Sequence, residues 1–214
     1  GRGCYPLSME KHSLTLTAGA DGFGDGSHPT TAGVLAALES IDPTLFHPRI
    51  ACDIGCGSGI LSFSIIRLFK CLVVAVDNSK QAIETTQQNA LHNGVEIINY
   101  AQNNIIGIVK KWRQETPLSG ATIPLHTEGF SHPAIAAAAP FDLITMNILA
   151  APLLTLATEA EQHLAPGGVL ILSGIFLWQE PQIRAAYQSL NLELTSRLTL
   201  GDWVTLVWQK PGSD

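Results

Sequence analysis

A largely apolar run, Ile50 to Ile54, leads into the glycine turn Gly55-Cys56-Gly57-Ser58-Gly59, and an apolar helix-like segment, Ile60 to Phe69, leads out of it. A second apolar run, Leu72 to Val76, ends on Asp77, eighteen residues after Gly59. Strand, glycine turn, helix, strand and acid, in that order, confine the chain to an open α/β sheet that holds a nucleotide-type ligand. Glycines let backbone approach the ligand closely, and an acid ending the second strand can hold two ribose hydroxyls. A turn built for structure alone has no need of Asp77 in this register.

Glycine spacing argues against a dinucleotide. The pyrophosphate fingerprint needs a sixth-position glycine for close packing of helix on strand. Counting from Gly55 that position is Ile60, and counting from Gly57 it is Ser62. No Gly-Lys-Ser/Thr follows a glycine turn, so a P-loop is excluded too. Gly-x-Gly-x-Gly after Asp53-Ile54 resembles the first motif of class I S-adenosylmethionine (SAM) methyltransferases, whose loop has no phosphate to cradle.

The remaining pattern extends the same architecture. Ser13 to Thr17 alternates like a half-exposed strand, and Pro29 opens a helix through Val34, Leu35 and Leu38 that stops before Pro43. Ser79 to Asn93 has helical periodicity with a stop at Asn93-Gly94, and Val95 to Tyr100 reads as a third strand. Ile105, Ile108, Val109 and Trp112 predict a helix over 104–115, whose Lys110, Lys111 and Arg113 read as a solvated basic face. The segment 116–140, with four prolines, reads as an insertion loop near the site, a substrate flap. Phe141 to Met146 predicts a fourth strand, Leu153 to Leu164 a helix closed by Pro166-Gly167-Gly168, and Val169 to Leu172 a fifth strand. One more helix carries Ile183, Ala186, Tyr187 and Leu190, and the runs 192–198 and 203–208 close the chain as a hairpin through Gly201. The expected fold is a Rossmann-like, doubly wound, mostly parallel seven-stranded sheet with an antiparallel closing hairpin.

At 214 residues, 46% hydrophobic and only 14% charged, the chain has ample core for one domain and is not disordered. No apolar run reaches the roughly 18 residues of a membrane span, and no signal segment opens the sequence. The formal net charge of −6 disfavours a nucleic-acid surface and suits a basic protein substrate. Cys4, Cys52, Cys56 and Cys71 form no C-x-x-C pair and read as small buried thiols of a reducing cytoplasm.

Upstream of the glycine turn, Phe23-Gly24-Asp25-Gly26-Ser27-His28-Pro29-Thr30-Thr31 resembles the F-G-T-G-x-H-P-T-T signature of the ribosomal protein L11 methyltransferase (PrmA) family. The resemblance continues at Asp53 to Leu61, Asn89-Ala90, Asn93-Gly94-Val95, Met146-Asn147-Ile148-Leu149-Ala150, Pro166-Gly167-Gly168 and Leu172-Ser173-Gly174-Ile175. It implies an enzyme, a SAM-dependent N-methyltransferase of protein amino groups, lysine foremost. It also implies that Asp53, Gly55, Gly57 and Gly59 belong to the SAM loop, that Asp77 holds the ribose, and that Thr31 touches the cofactor from upstream. Asn147 would sit beside the methyl group as cofactor ligand and amine-orienting catalytic residue. His28 is the second catalytic candidate, as a proton relay, with a purely structural hydrogen-bonding role as its alternative. No metal is implied.

The chain departs from the family pattern in places. Asp25 stands where the family has threonine. The end of the third strand lacks the acid that often reads the adenine amino group, so Gln102 or Asn103 would substitute. Residues 1–12 read as a tail or tag remnant, and the family's amino-terminal substrate-docking domain is expected to be absent. The alternatives are a methyltransferase for another protein lysine or for a small-molecule amine, and a non-catalytic SAM-binding domain. A nucleic-acid amino methyltransferase is disfavoured, because Asn147-Ile148-Leu149-Ala150 stands where such enzymes often carry Asn-Pro-Pro-Tyr.

Overall fold

A computed structural model describes residues 14, 26–100, 105–114 and 119–213. The segment 13–17 apart from Leu14, the motif residues Phe23 to Asp25, and Gln102 and Asn103 lie outside the described residues. In chain order the elements are α1 (Pro29–Ser40), β1 (Ile50–Ile54), α2 (Ile60–Phe69), β2 (Leu72–Asp77), α3 (Lys80–His92), β3 (Glu96–Ile97) and α4 (Ile105–Gln114). They continue with β4 (Ala121–His126), α5 (Pro133–Ala138), β5 (Phe141–Asn147), α6 (Ala150–His163), β6 (Leu164–Phe176), α7 (Glu180–Gln188), β7 (Glu193–Leu200) and β8 (Trp203–Gln209).

The strands form one eight-stranded sheet in the order β3-β4-β2-β1-β5-β6-β8-β7. All pairings are parallel except β6 with β8 and β8 with β7, which form the closing antiparallel hairpin. Strand residues point alternately to opposite faces. Ile50, Cys52, Ile54, Leu72, Val74 and Val76 therefore meet the residues of α4 to α7, while Ala51 and Val73 meet those of α1 and α2. With both faces covered, the central strands need apolar residues at nearly every position, which is why they read as continuous runs.

The order of strands reverses direction between β1 and β5: the chain first builds outward through β2, then returns to the other side of β1. Ligands of such sheets bind outside the strand carboxyl ends at that reversal. Gly55, Asp77 and Asn147 are all at those ends. Among the described residues, no helix is long and apolar enough to cross a membrane.

The structure corrects the expected fold at its far edge. The segment 116–140 is not a loop, since it contains β4, paired along β2 from Leu72↔Ala121 to Asp77↔His126, and the helix α5. The expected third strand shrinks to the two-residue β3, an edge piece beside β4, and among the described residues the sheet has eight strands where seven were expected. Pro124 disguises β4, because proline cannot donate to a ladder and argues against an interior strand. Its tolerance has a geometric cause. Ile98 N–H donates to the Thr122 carbonyl (2.9 Å), so Thr122 turns its backbone polar groups toward β3. Two residues on, Pro124 turns the same way, past the end of β3, where no ladder bond is required.

Candidate active site

The glycine turn is held from three sides. Gly55 and Cys56 donate backbone N–H groups to the Val76 carbonyl (2.8 and 2.9 Å), tying the turn to β2. From α3, Thr86 Oγ1 donates to the Gly57 carbonyl (2.9 Å) and Asn89 Nδ2 to the Ser58 carbonyl (2.8 Å), both side chains being fully buried. Asp77 accepts the Gly57 N–H at Oδ2 (3.0 Å) and the Ser79 N–H at Oδ1 (2.8 Å). Its carboxylate thus braces the turn and still has lone pairs for further donors. Gly57 has φ +54° and open space where a Cβ would stand, the conformation and clearance of a backbone that a ligand approaches.

Two cavities meet at this turn. One, of about 540 Å³, is lined by Ile54, Asp77, Asn78, Thr127, Glu128 and Pro152 among others. The other, of about 370 Å³, is lined by His28, Thr31, Gly57, Asn147, Gly174 and Trp203 among others. Gly55, Ile148 and Leu149 line both, so the two are lobes of one cleft. Gly174 (φ +81°) is what lets the turn after β5 lie against β6, since a Cβ there would collide with the Ile148 backbone.

The cleft brings together His28, Thr31, Gly55, Gly57, Asp77 and Asn147 of the residues expected from sequence. Two others stand behind it. Gly59 (φ +85°) is the N-cap of α2, and a Cβ there would collide with Phe63. Asp53 is fully buried beneath the turn, where Ser62 Oγ donates to one carboxylate oxygen (2.6 Å) and Thr145 Oγ1 to the other (2.8 Å). Burial raises the Asp53 carboxyl above its ordinary range, against the opposing pull of those two hydroxyls. Asp53 is therefore a joint between β1, α2 and β5 and does not line the cleft.

In the second lobe, Asn147 Nδ2 donates to Thr31 Oγ1 (3.4 Å), which leaves the Asn147 carbonyl oxygen as its remaining acceptor. His28 caps α1: its Nδ1 accepts the Thr30 N–H (3.3 Å) and lies 2.8 Å from Thr30 Oγ1. His28 also packs edge-on against Trp203, with ring centroids 5.1 Å apart.

Sequence reasoning missed Glu128, Thr127 and Trp203. The first two follow β4, which was itself hidden, and Thr127 N–H donates to the Asp77 carbonyl (2.9 Å). The signal for Trp203 was present: an aromatic opening the last strand, antiparallel to β6, is carried to the carboxyl end of β5. Cys52, Cys56 and Cys71 are free and buried, and burial raises each thiol, so none is a ready nucleophile. Among the described residues, no cluster of His, Cys, Asp and Glu could hold a metal ion.

Comparison with known proteins agrees with this arrangement. The family model for "Ribosomal protein L11 methyltransferase (PrmA)" matches residues 4–211. A protein of that name from Brucella suis is 37% identical over 184 residues, 86% of this chain and 56% of its own length. The chain thus spans little more than half the length of such relatives. The crystal structure of a ribosomal protein L11 methylase from Lactobacillus delbrueckii subsp. bulgaricus superposes with a TM-score of 0.67 at 26% identity, covering 87% of this chain and 81% of its own. The N-methyltransferase NodS from Bradyrhizobium japonicum, solved with S-adenosyl-L-homocysteine, shares the fold with a TM-score of 0.60 at 14% identity, over 91% of this chain and 94% of its own.

Proposed function

The chain belongs to the ribosomal protein L11 methyltransferase family, and from that premise we propose that it transfers methyl groups from SAM to amino groups of a ribosomal protein, lysine side chains foremost. The observation that carries the reading is the two-lobed cleft, with Asp77 in one lobe and Asn147 in the other, joined across Gly55, Ile148 and Leu149.

The residues present fit the cofactor. Asp77 retains acceptor capacity for ribose hydroxyls, and Gly57 offers open backbone beside it. Ile54, Val76 and Pro152 give an apolar bed for a purine, with the Glu128 carboxylate at its rim as acceptor for the exocyclic amine. This reading gives Glu128 the adenine-reading role expected of Gln102 or Asn103, which lie outside the described residues. When bound, the sulfonium supplies an activated methyl group, so the protein's task is alignment of the incoming amine.

A lysine must lose its proton before it can attack. From a reference pKa of about 10.4 that costs roughly 4–5 kcal/mol at pH 7. The second lobe lowers the cost by desolvation, with Ile60, Leu61, Ile148 and Trp203 among its walls. The Asn147 carbonyl oxygen accepts an amine hydrogen and thereby turns the lone pair toward the methyl group. His28 acts as cap of α1 and wall of the lobe, its Nδ1 engaged with Thr30. The capping contact supports the structural one of its two expected roles. The net charge of −6 supports a basic protein substrate over nucleic acid, and the reading carries a cytoplasmic setting.

Asn147→Ala tests the assignment. SAM affinity by calorimetry is expected to change by less than about threefold while the single-turnover rate drops about 100-fold, the scale of lost alignment. Equal losses in both would reduce Asn147 to a cofactor ligand.

A further inference from the structure

Four aromatic rings form a continuous ladder out of the second lobe. His28 meets Trp203 edge-on at 5.1 Å, Trp203 stacks on Phe176 at 3.9 Å and 27°, and Phe176 stacks on Trp178 at 6.5 Å and 13°. The inner end lies in the cleft, which His28 and Trp203 both line. At the outer end Trp178 is 77% exposed. The turn that carries Trp178 is fixed: Leu177 N–H donates to the Asp202 carbonyl (2.9 Å), Phe176 N–H to Gln179 Oε1 (2.9 Å), and Gln179 N–H to the Phe176 carbonyl (2.8 Å). Leu177 and Leu149 are exposed as well, and Leu149 lines both lobes.

We propose that this ladder is the docking track for the substrate polypeptide, with Trp178 receiving a basic side chain of the segment that carries the target lysine. The inference rests on the methyltransferase reading above. Continuity with the cleft identifies the occupant, because Trp203 lines the lobe an amine must enter and is one stacked ring away from Trp178. Charge identifies its chemistry. The chain has 18 acidic against 12 basic residues, and the cations on the neighbouring α7 and β7, Arg184 and Arg197, are paired with Glu180. A stacking ring that served RNA would need basic groups along the backbone path. An exposed indole face on a chain of net charge −6, with those two cations already paired, favours an ammonium or guanidinium instead.

The test is steady-state methylation of purified ribosomal protein L11 by the 214-residue chain, wild type beside Trp178→Ala and Trp178→Phe, with SAM affinity measured by calorimetry. Trp178→Ala is expected to raise KM for the protein about 3- to 10-fold, at unchanged kcat and SAM affinity, and Trp178→Phe to recover most of the loss. An unchanged KM in Trp178→Ala, with wild type active, would overturn the docking track alone. Quenching of Trp178 fluorescence by an oligouridine but not by a lysine-rich peptide would overturn it in favour of RNA. No methylation by wild type would remove the substrate reading and this proposal together.

Discussion

At the scale of single residues, the cleft depends on polar groups that are satisfied twice over. Asp77 braces the glycine turn through Gly57 and Ser79 while remaining an acceptor for ligand. Asp53 does the opposite: wholly enclosed, it accepts only from Ser62 and Thr145. Because burial raises its carboxyl, the folded protein holds that proton more tightly than the unfolded chain does. Stability from this group is greatest below the ordinary Asp value and falls as pH rises to the raised one, then levels. Asp53→Asn lacks the titration. The unfolding free energy of wild type minus that of Asp53→Asn, from urea melts between pH 4 and 8, should therefore decline with pH. A difference that climbs with pH would mean the folded carboxyl is depressed.

At the scale of elements, the turn after β5 must lie against β6 beside the strand reversal, and Gly174 makes the room. Gly174→Ala combines an unfavourable φ with a collision against Ile148 backbone and should cost about 2–4 kcal/mol. Gly201, also at positive φ (+59°) but with open space around it, is the matched control, and Gly201→Ala should cost only about 1 kcal/mol. Chemical denaturation of both variants checks the pair; equal losses would deny the close packing at Gly174. The unit from β1 through Asp77 was legible in the sequence because each part of it is local: an apolar run, a glycine turn, a periodic helix, a second run. Pro124 hid β4, because its tolerance depends on where β3 stops, a fact of pairing and not of composition. Glu128 vanished from view with it. Asp53 was expected in the cofactor site with the glycine motif it precedes; its enclosure by Ser62 and by Thr145, 92 residues away, is a fact of packing that the motif does not carry.

At the scale of the whole molecule, a parallel sheet clad on both faces presents one reversal of strand order, and nearly every cleft residue collects there. The doubly wound class and the closing hairpin followed from alternating periodicities, since that alternation leaves few other ways to bury both faces. The ladder of rings from His28 to Trp178 was not legible, because it joins α1's cap, the end of β6 with the turn after it, and the start of β8, which the antiparallel pairing of β6 with β8 brings together. The central claim is methyl transfer at this reversal, and the direct measurement is incorporation of labelled methyl from SAM into purified ribosomal protein L11, wild type beside Asp77→Ala. The account predicts label on lysine with wild type, and at least about a tenfold lower rate at limiting SAM for Asp77→Ala, which loses ribose contacts and the brace on Gly57. Label absent with wild type despite bound SAM, or a rate indifferent to Asp77, would contradict it.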